Sequence, residues 1–130
     1  MKKILFVIVS FLCLEAYANA QTASGTCKLP GTYDYVNVDY YDDGHLAVSN
    51  QSGMKITQLR ITVKCTITYD VTKQNPVSKT VTVCDKNFYD IAPNQTTILE
   101  DGVKSRNDID VKSRYAKYEY TVSVGNPICK

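Results

Sequence analysis

The stretch Leu59-Arg60-Ile61-Thr62-Val63-Lys64-Cys65-Thr66-Ile67-Thr68-Tyr69-Asp70 alternates without a break. Leu59, Ile61, Val63, Cys65, Ile67 and Tyr69 share one parity, and Arg60, Thr62, Lys64, Thr66, Thr68 and Asp70 share the other. Successive side chains of a strand point to opposite faces, so this pattern predicts a long strand with one face buried and one in water. A helix would scatter the same apolar groups around its circumference. A one-residue slip would bury Arg60 and Lys64 and expose the whole apolar set, so the pairing of this strand is tightly specified.

Shorter alternating runs lie on either side, separated by turn residues. Tyr33 to Tyr41 carries Val36, Val38 and Tyr40 on one parity and Tyr33, Tyr35, Asn37, Asp39 and Tyr41 on the other. Asp42-Asp43-Gly44 then supplies the positive φ that a hairpin turn needs. His45 to Asn50 follows as a strand with Leu46 and Val48 inward, and Asn50-Gln51-Ser52-Gly53 reads as the next turn. Beyond the central strand, Val77 to Cys84 is expected to return as its partner, with Phe88 to Ile91 and Gln95 to Leu99 flanking a turn at Pro93-Asn94. Ala116 to Val124 gives the last strand. Gln21 to Gly31 reads as a loose or edge segment tied down through Cys27, and Glu100 to Arg114 as a long polar loop with a short strand at Ile109 to Val111. No helical period is expected after residue 20. About seven short strands with turn signals between them predict an all-β, antiparallel β-sandwich.

Three segments, Leu46-Ala47-Val48-Ser49-Asn50-Gln51-Ser52, Ile56 to Tyr69 and Ile91-Ala92-Pro93-Asn94-Gln95-Thr96, occur in an order that resembles small immunoglobulin-like modules of exported bacterial proteins. In those modules a strand ending in Asn-x-Ser leads into a long central strand, and a Pro-Gly-x-Thr-like corner follows; here Asn94 stands where glycine is common. The resemblance covers about half of the chain after residue 20. It implies an immunoglobulin-like sandwich acting as an accessory or binding module, and it carries no catalytic residue to transfer.

At the start of the chain, Lys2 and Lys3 precede an apolar run from Ile4 to Leu14 and then Ala18-Asn19-Ala20. A basic start, a short apolar core and an A-x-A site predict a secretory signal peptide over residues 1–20, leaving one domain over 21–130. The apolar run falls short of the roughly 20 residues that a membrane span needs, so no transmembrane segment is expected after cleavage. Cys13 lies inside that run behind Leu12, which is not the setting of a lipid-anchored cysteine. The short signal resembles bacterial ones, and the expected location is periplasmic or secreted. Without Lys2, Lys3 and Glu15 the chain holds 13 basic and 12 acidic residues, a net charge of +1. Lys and Arg are scattered along it, so neither nucleic acid nor an anionic membrane is an expected partner.

Four cysteines follow the signal: Cys27, Cys65, Cys84 and Cys129. An even number in an exported chain predicts disulfides, with three connectivities open. A two-residue turn at Gln74-Asn75 would bring Cys65 opposite Cys84, given a bulge near Val83 and Cys84 to reconcile the parities. Cys65 with Cys84 and Cys27 with Cys129 is therefore the favoured pairing. The second bond would close most of the domain, worth about 4 kcal/mol in the chain-entropy picture. There is no C-x-x-C pair, so the cysteines are expected to be scaffold and not a metal or redox site.

Catalytic signatures are scarce. His45 is the single histidine and the only ordinary candidate base; it is expected to be solvent-exposed on the polar parity of its strand. Asp34, Asp39, Asp42 and Asp43 lack the spacing of a calcium loop and read as turn residues. No phosphate-binding glycine loop occurs. The expectation is no enzyme and no cofactor. What remains is tyrosine: Tyr33, Tyr35 and Tyr41 share the face opposite Val36 and Val38, and tyrosine suits protein interfaces because it gives large contact area and a hydroxyl at low entropic cost. The sequence thus predicts an exported binding or structural accessory protein that meets another envelope or secreted protein, with Tyr33, Tyr35 and Tyr41 as its first contact residues. A periplasmic inhibitor or immunity-type protein, acting through the loop Glu100 to Arg114, is the alternative.

Overall fold

A computed structural model describes residues 21–72, 74–113 and 115–129. The expected signal peptide, and hence the boundary at residue 20, lies outside these. The elements are β1 (Gln21–Lys28), β2 (Tyr35–Tyr41), β3 (His45–Asn50), β4 (Ile56–Tyr69), β5 (Val77–Ile91), β6 (Gln95–Leu99), α1 (Arg106–Ile109) and β7 (Ala116–Cys129). They form two antiparallel sheets, β1-β2-β3-β6 and β5-β4-β7. The all-β sandwich of seven strands is as the alternation predicts. A constant-type immunoglobulin domain would place β1-β2-β5-β4 opposite β3-β6-β7 in this numbering, and the strands here are grouped differently between the two sheets.

The central strand behaves as its pattern requires. Leu59, Ile61, Val63, Cys65 and Ile67 are fully buried, and they pack against Val36, Val38, Tyr40, Leu46 and Val48 of the opposite sheet. On the outer face Arg60 donates to Asp85 at 2.6 and 3.0 Å, and Thr62 donates to the same oxygen at 3.0 Å. Those bonds hold the Asp85 carboxyl below its ordinary range.

Four local expectations change. Gln21 to Lys28 is a full strand, because every second residue is small enough to lie against the second sheet while its backbone pairs with Tyr35 to Tyr41. Val77 to Ile91 is one strand, not two, since an extra residue at Val83 shifts the parity and joins two alternations that look separate in sequence. The turn before it is wide. Asp70 takes φ +58° and donates its N–H to the Tyr115 carbonyl, so Tyr69 pairs with Val77. Cys65 consequently faces Val81 and Cys84 faces Val63, where the two-residue turn would have set Cys65 against Cys84.

The fourth change is the segment from Glu100. It contains the one-turn helix α1 and no strand at Ile109 to Val111. A capping box nucleates the turn: Ser105 Oγ accepts from the Asp108 N–H while the Asp108 carboxylate accepts from the Ser105 N–H at 2.8 Å. Ile109 is buried, with Val103 and Val111 packed beside it, so residues 100–113 close the lower end of the sandwich. Tyr40 donates its hydroxyl to the Lys104 carbonyl at 2.8 Å, and Arg106 lies over the Tyr118 ring at 4.2 Å.

Candidate functional site

The upper end of the sandwich is built on one buried amide. Asn50, 1% exposed, closes β3. Its Nδ2 donates to the Met54 carbonyl at 2.8 Å and to the Ala92 carbonyl at 3.2 Å. Its Oδ1 accepts from the Ser52 N–H at 3.1 Å and the Ser52 hydroxyl at 2.8 Å. The Asn94 N–H adds a bond to the Ser52 carbonyl at 3.1 Å. The β3–β4 and β5–β6 turns are thereby fixed to each other.

Between them lies an open groove of about 360 Å³, lined by Ser49, Asn50, Gln51, Asn94, Gln95 and Thr96. Its walls are amides and hydroxyls of zero net charge, with Ser49 and Thr96 hydrogen-bonded across the strands at 2.9 Å. Such a lining offers donors and acceptors together, the mixture that a polypeptide backbone presents in return. Sequence reading missed this groove. Its signal was the repeated Asn-Gln-Ser and Asn-Gln-Thr at residues 50–52 and 94–96, which separately read as no more than polar turns.

The three expected tyrosines divide. Tyr33 is 92% exposed, with the Lys28 ammonium 5.4 Å from its ring centroid, and Tyr35 is 46% exposed. The Tyr35 carbonyl accepts from the Gln51 N–H at 3.3 Å, which places the Tyr35 backbone beside a residue of the groove lining. Tyr41 stands at the other end of β2, beyond Asn37 and Asp39, roughly 20 Å along the strand from Tyr35. It stacks on His45 with ring centroids 4.4 Å apart, and the His45 Nδ1 is 2.6 Å from the Asp43 carboxylate. His45 is therefore not solvent-exposed as expected: its side chain is 19% exposed, because Tyr41 covers one ring face.

Each sheet edge has a different status. On one flank β1 and β7 lie backbone against backbone, so near that a Cβ on Gly25 would meet the Val122 carbonyl oxygen at 2.7 Å. On the other flank β5 carries the devices that discourage strand pairing: Lys79, the bulge at Val83, and the Lys104 N–H already bonded to the Val83 carbonyl at 3.0 Å. Lys86 adds a second cation there, held by Asp101 at 3.2 Å. The remaining edge is β6, Gln95-Thr96-Thr97-Ile98-Leu99, which is neutral, regular in its pairing with β3, and ends beside the groove. Ile98 on its outer face is 54% exposed.

In the expected inhibitory loop Glu100 to Arg114, Ile109 is buried and Val103 and Val111 pack against the core, while Glu100, Asp101, Lys104, Arg106, Asn107 and Asp108 are exposed. Among the described residues no group of three or more His, Cys, Asp or Glu is placed to hold a metal ion. Cys27, Cys65, Cys84 and Cys129, expected in two disulfides, are free thiols in this structure: Cys65 is opposite Val81, Cys84 is opposite Val63, and the Cys27 thiol donates to the Lys28 carbonyl at 3.4 Å. Tyr40 and Tyr120 meet in the core with ring centroids 4.9 Å apart, beside Cys65. Burial, then the neighbouring groups, pushes both phenols far above their ordinary range, so both stay protonated. The Tyr120 hydroxyl is buried and makes no hydrogen bond of good geometry.

The chain matches no protein-family model and no curated protein.

Proposed function

We propose that this is an exported β-sandwich binding or accessory module that takes an extended segment of another envelope or secreted protein onto the edge of β6. The observation that carries the reading is the contrast between edges: three are closed or guarded, and β6 is neutral, regular and flanked by a polar groove; exposed Tyr35 begins β2 of the same sheet and exposed Tyr33 precedes it. An added strand gains main-chain hydrogen bonds from an open edge, while side-chain pockets and exposed rings supply selectivity. Interface energy concentrates in a few such aromatic groups.

The partner is sought by affinity capture from the native extracytoplasmic fraction with the full chain as bait. Ile98→Lys, which puts a charge on the β6 edge, and Tyr33→Ser with Tyr35→Ser should each weaken the captured complex by about tenfold or more without altering the far-ultraviolet circular dichroism. Tyr41→Ser should leave affinity within about twofold, since it lies at the far end of the strand. Equal binding by wild type, Ile98→Lys and the tyrosine variant would overturn the reading. A stoichiometric enzyme in the eluate, inhibited by the bait and retained by all three variants, would favour an inhibitor acting through another surface.

A further inference from the structure

We propose that Cys27 and Cys129 are a disulfide-forming pair that locks β1 to β7 across the closed flank, while Cys65 and Cys84 remain buried thiols. Strand register acts as a ruler here. In the first sheet Cys27, Val36, Asn50 and Gln95 form one cross-strand row. In the second sheet Ile91, Ile56 and Cys129 form another. The Asn50 amide bonds to the Ile91 and Ala92 carbonyls, so the two rows lie over each other at the upper end of the sandwich. Cys27 ends its row on β1 and Cys129 ends the other on β7, the two strands whose backbones touch at Gly25 and Val122. Both side chains are half-buried on the inward parity and pack on the same core.

Face-to-face sheets ordinarily stand about 10 Å apart, too far for a disulfide, whose Cα atoms lie roughly 4.4–6.8 Å apart. At Gly25 and Val122, two residues before Cys27 and seven before Cys129 in their strands, the backbones approach much nearer than that. Burial raises the Cys129 thiol, and the charge on Cys27 raises it further.

The other pairings fail on the same ruler. Cys129 pairs with Ile56, nine positions along β4 from Cys65, roughly 30 Å of strand. Cys84 pairs with Val63, seven positions from Ile56, roughly 23 Å. Cys65 and Cys84 are diagonal to each other across the bulge, a relation that leaves Cα atoms roughly 7–8 Å apart, beyond easy bridging.

The chemistry is thiol–disulfide exchange with an oxidising disulfide, either a protein oxidant of the exported compartment or oxidised glutathione. The thiolate of one cysteine attacks the oxidant's sulfur and expels a thiolate. The second cysteine then attacks the mixed disulfide, forming the Cys27–Cys129 S–S bond and releasing the second thiolate. The chain loses two electrons and two protons, and the oxidant is reduced to two thiols. The proposal rests on export only for the source of oxidant, so oxidation in vitro tests it independently of location and of the β6 reading.

The purified chain is equilibrated with an oxidised/reduced glutathione couple, its remaining thiols are alkylated in denaturant, and the product is weighed and mapped by proteolysis without reduction. The expected result is a mass two hydrogens below the reduced chain before alkylation, a cross-linked peptide joining Cys27 to Cys129, and alkyl groups on Cys65 and Cys84. Cys27→Ser and Cys129→Ser should each abolish the shift and show the denaturation midpoint of the reduced wild type. A peptide joining Cys65 to Cys84, a loss of four hydrogens, or an unshifted mass would each overturn the proposal.

Discussion

Replacing Asn50 by alanine should lower the unfolding free energy by about 3 kcal/mol, a large share of the roughly 5–15 kcal/mol stability margin of an ordinary domain. The substitution removes little apolar contact, so the loss is one of hydrogen bonding. Asn50 is buried and serves the Met54 and Ala92 carbonyls, the Ser52 N–H and the Ser52 hydroxyl at once. The Ser52 hydroxyl and the Met54 carbonyl still have each other at 3.1 Å, but alanine leaves the Ala92 carbonyl and the Ser52 N–H without this partner where the surrounding chain limits access by water, and each such orphan costs about 1–3 kcal/mol. Water entering from the groove recovers part of this, which keeps the sum within the cost of one or two such orphans. Asn50→Asp should be at least as damaging, because a carboxylate cannot donate to the two carbonyls. Urea denaturation of the three proteins measures the effect. A loss below about 1 kcal/mol for Asn50→Ala would mean that water substitutes fully for the amide and that Asn50 does not fix the turns. If it does fix them, capture of a β6 partner should fall with stability, since the groove is made of those same turns.

Much of the sandwich is written in the chain, because a strand that is half buried must alternate, and β2, β3, β4 and β7 do so over most of their lengths. Legibility fails where a local device breaks the period. One extra residue at Val83 makes the single strand β5 look like two. The positive φ of Asp70 ends β4 early and widens the following turn, and that shift, invisible in composition, moves Cys84 away from the position opposite Cys65. The α1 turn is too short for a helical period, although Ser105 and Asp108 carry the spacing of a capping box. The groove was illegible for another reason: Ser49 to Gln51 and Asn94 to Thr96 are far apart in sequence and meet only through the pairing of β3 with β6. Tyr35 could be placed by parity alone; Tyr33, expected on the same strand, precedes β2 in the turn, and parity cannot tell that Tyr41, on the face of Tyr35, sits at the opposite end.

Gly25→Val should destabilise the domain by about 2–3 kcal/mol, even though valine is among the best residues for a strand and glycine among the poorest. Intrinsic preference alone would predict a gain of up to about 1 kcal/mol. The opposing effect is steric. A Cβ at this position would stand 2.7 Å from the Val122 carbonyl oxygen and 3.0 Å from its Cγ1. The nearer atom is backbone in the middle of β7, which is paired to β4 through Thr121, Val122 and Ser123, so it cannot swing aside as a side-chain tip would. Relief requires parting β1 from β7, and that exposes the inward faces of both strands. Alanine should cost nearly as much, because the first carbon makes the clash. Ser24→Val is the control: Ser24 is the exposed neighbour on the same strand, and valine there should be neutral or mildly stabilising. Thermal melts should separate the two substitutions by about 10 °C, at roughly 4 °C per kcal/mol for a chain of this size. Indistinguishable melting temperatures would show that β1 stands off from β7. Parting β1 from β7 would also separate the proposed Cys27–Cys129 pair, so Gly25→Val should leave more free thiol at a fixed glutathione ratio, whereas Ser24→Val should not, and that second readout ties the closed flank to its steric cause.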